Sequence, residues 1–409
     1  MNDYRSLWND ELIRQGKSGE QIQLAQAEQQ HLQAQLPDLS EEEAQLVSLS
    51  RMGVRFTLEQ QAVSATLHQK AAFLLLVQFL LSRLPGFLGY PFSNATEGLY
   101  GLNVSFLVFP ILALYLVRGQ KRLLVHYLLG SALLALVINL LFLGNTQTES
   151  PTLVLAILHL PPLYVLSLAL FDQHESLTEK LCRHLSLVGE TLLLTFLLAC
   201  ATGFSMLLTI LLFEAIGWKV EDGVASFVIT GIIPLLPLTA LHLLKTKGAK
   251  MQQITRLLAT LFLPVFTLLM AVFLMVLLFG KVHIVEDRSL LLVIDVLLAM
   301  LLLMILYAAD LLEHQQKSRM GKNLIIIACS IALALDVVAL LAIGKRLNQY
   351  GLSPNRLAVL AENILLFGNL LFLVITLIRK QSAAKLQARF LLLYAFWFLF
   401  VVLAFPLLF

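Results

Sequence analysis

LSLVGETLLLTFLLACATGFSMLLTILLFEAIG, residues 185–217, is the stretch on which the fold turns. It is apolar almost throughout. As one helix its residues would reach about 50 Å, against a hydrocarbon core of about 30 Å. A single crossing must tilt, extend past the bilayer or break near Gly203. Two crossings would reverse the orientation of everything that follows.

The charges decide between these. Apolar runs recur at 71–89, 99–117, 122–144, 151–171, 185–217, 222–244, 254–280, 289–311, 322–344, 356–378 and 389–409. With 185–217 counted once and the N-terminus inside, most of the 29 lysines and arginines fall on the inner side. They include the loops KTKGAK, KSRMGK and RKQSAAK. Splitting the run would expose those three loops to the outer side, against the tendency of basic residues to stay cytoplasmic. The sequence therefore predicts an all-α polytopic bundle of eleven spans, with the N-terminus inside and the C-terminus outside. Pro110, Pro161-Pro162, Pro234, Pro237 and Pro264 fall within spans and are expected to kink them.

Composition points the same way. The 409 residues are 58% hydrophobic and only 13% charged, with a mean hydropathy of +0.82. A soluble domain of this length needs more charge to cover its surface. The net charge of +3 comes from short basic loops, so no nucleic-acid partner is expected. Cys182, Cys200 and Cys329 are far apart, and no metal-ligand spacing occurs. No phosphate-binding loop, nucleophile motif or haem ligand set is present, so no catalytic residue, cofactor or metal is expected. The polar N-terminus lacks the apolar core of a cleavable signal.

Residues 1–70 read as a polar cytoplasmic tail, and 71–409 as the transmembrane bundle. In the tail, helices are expected over 18–36 and 40–69, with Asp38 or Ser40 capping the second and Glu41, Glu42 and Glu43 in its first turn. Such a tail suits docking of a cytoplasmic protein.

Charged side chains inside spans are costly and usually face a bundle interior or cavity. Asp295, Asp336, Glu362 and Asn363 all lie about 9–14 Å below the expected outer rim. Above them runs GKRLNQYGLSPNR, residues 344–356. This connection carries Lys345, Arg346 and Arg356 on the side where basic residues should be scarce. Gly351 supplies backbone freedom after Tyr350. Ser353 reads as a helix cap, with Pro354 at the first helical position. Tyr350 suits the headgroup level. The expectation is one outward-facing polar site built from Asp295, Asp336, Glu362, Asn363, Lys345, Arg346, Tyr350 and Arg356. Carboxylates with basic partners suit cation-coupled translocation. Arginine forks suit a lipid headgroup phosphate. Asp172, His174, Glu175, Glu179 and His184 match no metalloprotease spacing and read as solvated loop residues.

The stretch from Arg346 to Arg356, RLNQYGLSPNR, resembles the signature of the domain of unknown function 4153 family, with its R-x-x-x-Y-G-[LT]-[ST]-x-x-R pattern. The marks fall on Arg346, Tyr350, Gly351, Ser353 and Arg356. The resemblance covers this hairpin and, more loosely, the last four spans. It implies a multi-pass protein of the bacterial inner membrane and brings no reaction with it.

These readings favour a permease-like or lipid- and anion-handling protein that works against the bilayer on a headgroup, small ion or solute. The alternative is a scaffold or sensor acting through the tail. Reporter fusions test the orientation. Alkaline phosphatase should be active when fused after Gly351 or Phe409, and inactive after Lys247 or Lys317. The reverse pattern would overturn the single-crossing reading of 185–217.

Overall fold

In the computed structural model the described residues are 27, 31 and 58–409, less 91, 94–95, 118, 144–149, 173–175, 248, 281–287, 315–318 and 380–383. Most of the expected tail, including all of its first helix but residues 27 and 31, lies outside them. The chain divides into two compact units, 1–69 and 70–409.

The described residues form helices and no strand. In chain order they are α1 (Leu58–Phe87), α2 (Glu97–Leu116), α3 (Lys121–Leu141), α4 (Pro151–Ser167), α5 (Leu177–Ala215), α6 (Glu221–Phe227), α7 (Leu236–Lys247), α8 (Ala249–Phe279), α9 (Arg288–His314), α10 (Arg319–Tyr350), α11 (Pro354–Ile378) and α12 (Ala384–Leu408). Ten stretches are long and apolar enough to cross a membrane, and a shorter apolar stretch, Val293–Ala308, lies within α9. The described residues form an all-α polytopic helix bundle, with ten such stretches and one shorter apolar helix against the eleven spans expected.

The deciding stretch is one continuous helix. α5 runs unbroken through Gly203, which faces open space. Its excess length lies at the Leu177 end, where expectation had placed a loop. His184, read as a solvated loop residue, is instead buried on α5, and its Nε2 donates to the Val165 carbonyl at 2.7 Å. Helix α1 likewise begins before the expected span, at Leu58.

The sixth crossing breaks in its middle. Between α6 and α7 the chain passes through a π turn, Val228–Ile232, and a 3-10 turn, Ile233–Leu235. Pro234 and Pro237 have no N–H to give the preceding turn, so the regular ladder cannot continue. Side chains of α1 bond to the broken stretch. Gln78 Nε2 donates to the Pro234 carbonyl, and Arg83 Nη1 donates to Thr230 Oγ1 at 2.8 Å.

The main core lies among α8, α9, α10, α11 and α12. Ile294, Leu298, Leu301 and Ile305 line one stripe of α9 at helical spacing. On α10 the facing stripe holds Ala328, Cys329, Ala332 and Ala339. These small side chains let backbones approach closely, as membrane helices require when hydrophobicity does not distinguish neighbour from lipid. α10 packs chiefly on α11 and α9, and α12 on α4 and α5. Outward faces remain apolar. Leu257, Leu261, Leu268 and Phe279 of α8 are exposed, as suits lipid contact.

Gly189 of α5 marks one close approach. A Cβ there would sit 2.5 Å from Cδ2 of Tyr307 on α9, and Tyr307 is buried. Gly189→Ala should cost about 1–3 kcal/mol through overpacking. Gly203→Ala, in open space, should be neutral or stabilising by up to about 1 kcal/mol. Melting curves in detergent micelles compare the two; equal midpoints would contradict the α5–α9 packing.

Candidate functional site

α4, α9 and α11 each bring a polar side chain to a similar depth. Pro151 occupies the first turn of α4, and His159 follows eight residues on, about 12 Å along the axis. In α11, Ser353 Oγ accepts the Arg356 N–H and Pro354 starts the helix. That places Glu362 and Asn363 about 12–14 Å in. Asp295 lies seven residues into α9, about 10 Å. The three helices run in the same direction through the alternating topology, so equal offsets bring these side chains together.

His159 Nε2 lies 2.6 Å from Glu362 Oε1. His159 Nδ1 lies 2.7 Å from the Leu155 carbonyl oxygen. Trp397 Nε1 of α12 donates weakly to the same Glu362 oxygen at 3.4 Å. Asn363 Nδ2 donates to Asp295 Oδ1 at 3.0 Å. The His159 ring meets Phe398 edge-on at 5.5 Å, and Phe398 stacks with Tyr394 at 6.0 Å.

Asp336 sits deeper. It falls on the core stripe of α10, one turn from both Ala332 and Ala339, and is 0% exposed. Neither of its carboxyl oxygens has a hydrogen-bond partner. Its electrostatic neighbours are Asp295 and the Tyr394 hydroxyl. Asn369 is buried beside Tyr394, and Glu362 acts on both Tyr394 and Asp295. Five helices thus contribute to one chain of polar groups, His159, Glu362, Asp295, Asp336 and Tyr394, with Asn363 and Asn369 alongside. Among the described residues no cluster of metal-ligating side chains is present.

The hairpin forms a separate feature. α10 does not end at residue 344, as the sequence reading expected, but continues to Tyr350. Lys345 and Arg346 therefore lie on its last two turns, where positive charge suits the helix dipole. Gly351 adopts φ +70°, and its N–H reaches the Leu347 carbonyl at 2.9 Å, a left-handed helix stop. Arg356 Nη1 donates to the carbonyls of Tyr350 and Gly351 at 2.8 and 2.6 Å. Its guanidinium lies 5.5 Å from the Tyr350 ring centre, and that of Arg346 lies 6.0 Å away.

The sequence expectation joined acids and bases in one site. Among the described residues, no hydrogen bond or ion pair links Lys345 or Arg356 to Asp295, Asp336 or Glu362. The physical reason is the longer helix. With α10 extended to Tyr350, Asp336 lies 14 residues, about 21 Å, from its end. Arg356 instead satisfies carbonyls that the helix end leaves bare. Asp295, Asp336, Glu362 and Asn363 do come together, and their basic neighbour is His159.

His159 was not among the sequence candidates. Its signal is an imidazole in the middle of an apolar run, two residues before Pro161-Pro162. An ionisable group at that depth carries the same cost as a carboxylate. Tyr394, Trp397 and Asn369 had no comparable signal, since aromatic and amide groups are ordinary in membrane helices.

No protein-family model, curated protein or solved structure matches this chain.

Removing the Arg356 bonds should weaken the hairpin without touching the buried cluster. Arg356→Ala should cost about 1 kcal/mol. Gly351→Ala should cost about 1–2 kcal/mol, because an added Cβ resists positive φ. Thermal unfolding in detergent measures both. An unchanged midpoint for the pair would contradict the hairpin geometry.

Proposed function

We propose that the protein is a cation-coupled permease whose translocated or coupling cation is handled by the buried acids of α9, α10 and α11. The observation that carries this reading is Asp336, fully buried in the spanning region with both carboxyl oxygens unpartnered. An isolated buried carboxylate is costly, and a packing role would be better served by a pairing arginine or lysine. An unpartnered carboxyl beside Asp295, with Glu362 and Tyr394 nearby, suits transient occupation by a proton or small cation. The broken crossing between α6 and α7, and the prolines of α4, fit a bundle that changes shape, as transporter helices do.

The preponderance of carboxyl groups in the cluster favours a cation over an anion at that depth. A lipid phosphate suits the rim hairpin better, where Lys345, Arg346 and Arg356 meet the headgroup region. On the charge-pattern orientation that rim is the outer one, and the hairpin's resemblance fits a bacterial inner membrane.

Proteoliposomes test the proposal. Purified protein would be given an inward proton gradient and a panel of small cations, amino acids, sugars, inorganic phosphate and fluorescent phospholipids. At least one should move only with the gradient, and Asp336→Asn should abolish that movement with the melting midpoint little changed. Movement that survives Asp336→Asn would sink the reading, as would a panel in which nothing moves.

A second reading is favoured by one observation, the separate compact unit 1–69. A scaffold or sensor would bind a cytoplasmic partner through that unit. Deleting residues 1–60 should then remove function while the bundle still inserts.

A further inference from the structure

We propose that His159 and Glu362 form a proton-binding latch between α4 and α11, which holds the helices together when it carries one proton and lets them part when it loses it. This rests on the permease reading and assigns its coupling ion and the group that carries it.

The argument is a count of hydrogens. The Leu155 carbonyl can only accept, so His159 Nδ1, 2.7 Å from it, must bear a hydrogen. Nδ1 is thereby fixed as a donor whatever the state of the ring. Nε2 lies 2.6 Å from Glu362 Oε1. One hydrogen must lie in that contact. Either an imidazolium donates to a carboxylate, or a carboxylic acid donates to a neutral imidazole. Both descriptions contain the same single proton. Remove it, and the Nε2 lone pair faces a carboxylate oxygen with nothing between them. The contact then repels.

The surroundings suit a latch that opens. His159 is buried, whereas the Glu362 side chain is 34% exposed, so the two partners of the bond meet different surroundings. α4 packs mainly on α12 and α2, and only lightly on α11. A single strong bond therefore matters at this boundary. Pro161 and Pro162 follow His159 within α4. They leave the carbonyls of Ile157 and Leu158 without helical donors, so the helix can bend next to the imidazole. Leu155, Ala358, Val401 and Phe405 pack one turn toward the hairpin and close that side of the pair.

The groups that face the pair from neighbouring helices are Asp295 of α9, Trp397 and Tyr394 of α12 and, through Tyr394 and Asp295, Asp336 of α10. Three are carboxyl or phenol groups, and none supplies a replacement cation for Glu362. Trp397 donates to the carboxylate in either state, so Glu362 keeps a partner when the latch opens.

Glu362→Gln gives the sharpest test. A glutamine amide can donate its own hydrogen to the Nε2 lone pair of neutral His159. The variant therefore imitates the protonated latch permanently. Spin labels at Leu158→Cys of α4 and Ile364→Cys of α11, both exposed, report the separation in full-length protein in bilayers, with the native cysteines replaced. In the otherwise wild-type protein the distance should lengthen from acid to alkaline pH. In Glu362→Gln it should stay short throughout. In parallel, nitrogen NMR of ring-labelled histidine should show His159 Nδ1 protonated at every pH and Nε2 changing state. A wild-type distance that ignores pH overturns the latch, as does a Glu362→Gln protein that still responds.

Neither readout needs a transported solute, so the two proposals fail separately. A pH-dependent distance with no solute moved removes the permease and leaves the latch. Gradient-driven movement with a fixed distance removes the latch and leaves the permease.

Discussion

A hydrocarbon interior offers no hydrogen bonds, and the rest of this structure depends on that constraint. Each backbone N–H and C=O in the spanning region must find a partner within the protein. Long unbroken helices are the simplest answer, which is why α5, α8 and α10 run for 31 to 39 residues. Many side-chain hydroxyls follow the same rule. Thr191, Thr202, Ser205 and Thr209 of α5 each donate back to the carbonyl four residues earlier. At the break around Pro234, a glutamine from another helix donates to the Pro234 carbonyl. Arg356 does the same at the end of α10. The apparent breach of charge placement that the hairpin presents is, at the atomic level, a helix end completed by a guanidinium.

Against that background one exception stands out. Asp336 is fully buried, and neither of its carboxyl oxygens has a hydrogen-bond partner. Among the described residues it is the one carboxyl among the buried polar groups without a hydrogen bond, and Tyr394 and Asp295 are its electrostatic neighbours. A buried carboxyl with no hydrogen bond, set beside a second acid, is costly as packing alone, and on the permease reading a transient cation offsets that cost. The hydrophobic stripes of α9 and α10 hold the rigid frame, and the polar chain runs along its hairpin-facing part.

How much of this could be read from the sequence follows from range. Span number and order depend on local hydropathy and on charge summed over loops, and both were legible without a structure. The hairpin's cap was equally local. Ser353, Pro354 and Gly351 each act within four residues, and their geometry came out as their chemistry requires. Depth was legible too, because 1.5 Å per residue converts position into distance, and it brought Asp295, Glu362 and Asn363 together correctly. Helix ends were less legible. Lys345 to Tyr350 is polar enough to read as loop, yet it remains helical up to Gly351, whose positive φ ends the helix. That extension moved the basic residues away from the acids. The partner of Glu362 was least legible of all. His159 lies 203 residues away in sequence, and only the packing of crossing four against crossing ten makes them neighbours.

That pairing changes what kind of charge chemistry the core performs. An arginine or lysine beside Glu362 would keep its proton and fix the helices in a permanent ion pair. Histidine is the side chain whose ordinary titration falls closest to physiological pH. With its Nδ1 tied to Leu155, all of its variability is directed at one carboxyl oxygen. The contact joins α4, which packs mainly on α12 and α2, to α11, which packs mainly on α10 and α12. A proton there is therefore placed between two helices that share α12 as a neighbour, next to prolines that let one of them bend. Occupancy of a single hydrogen site and the separation of α4 from α11 become one variable, which is the minimum that coupling a proton to movement requires.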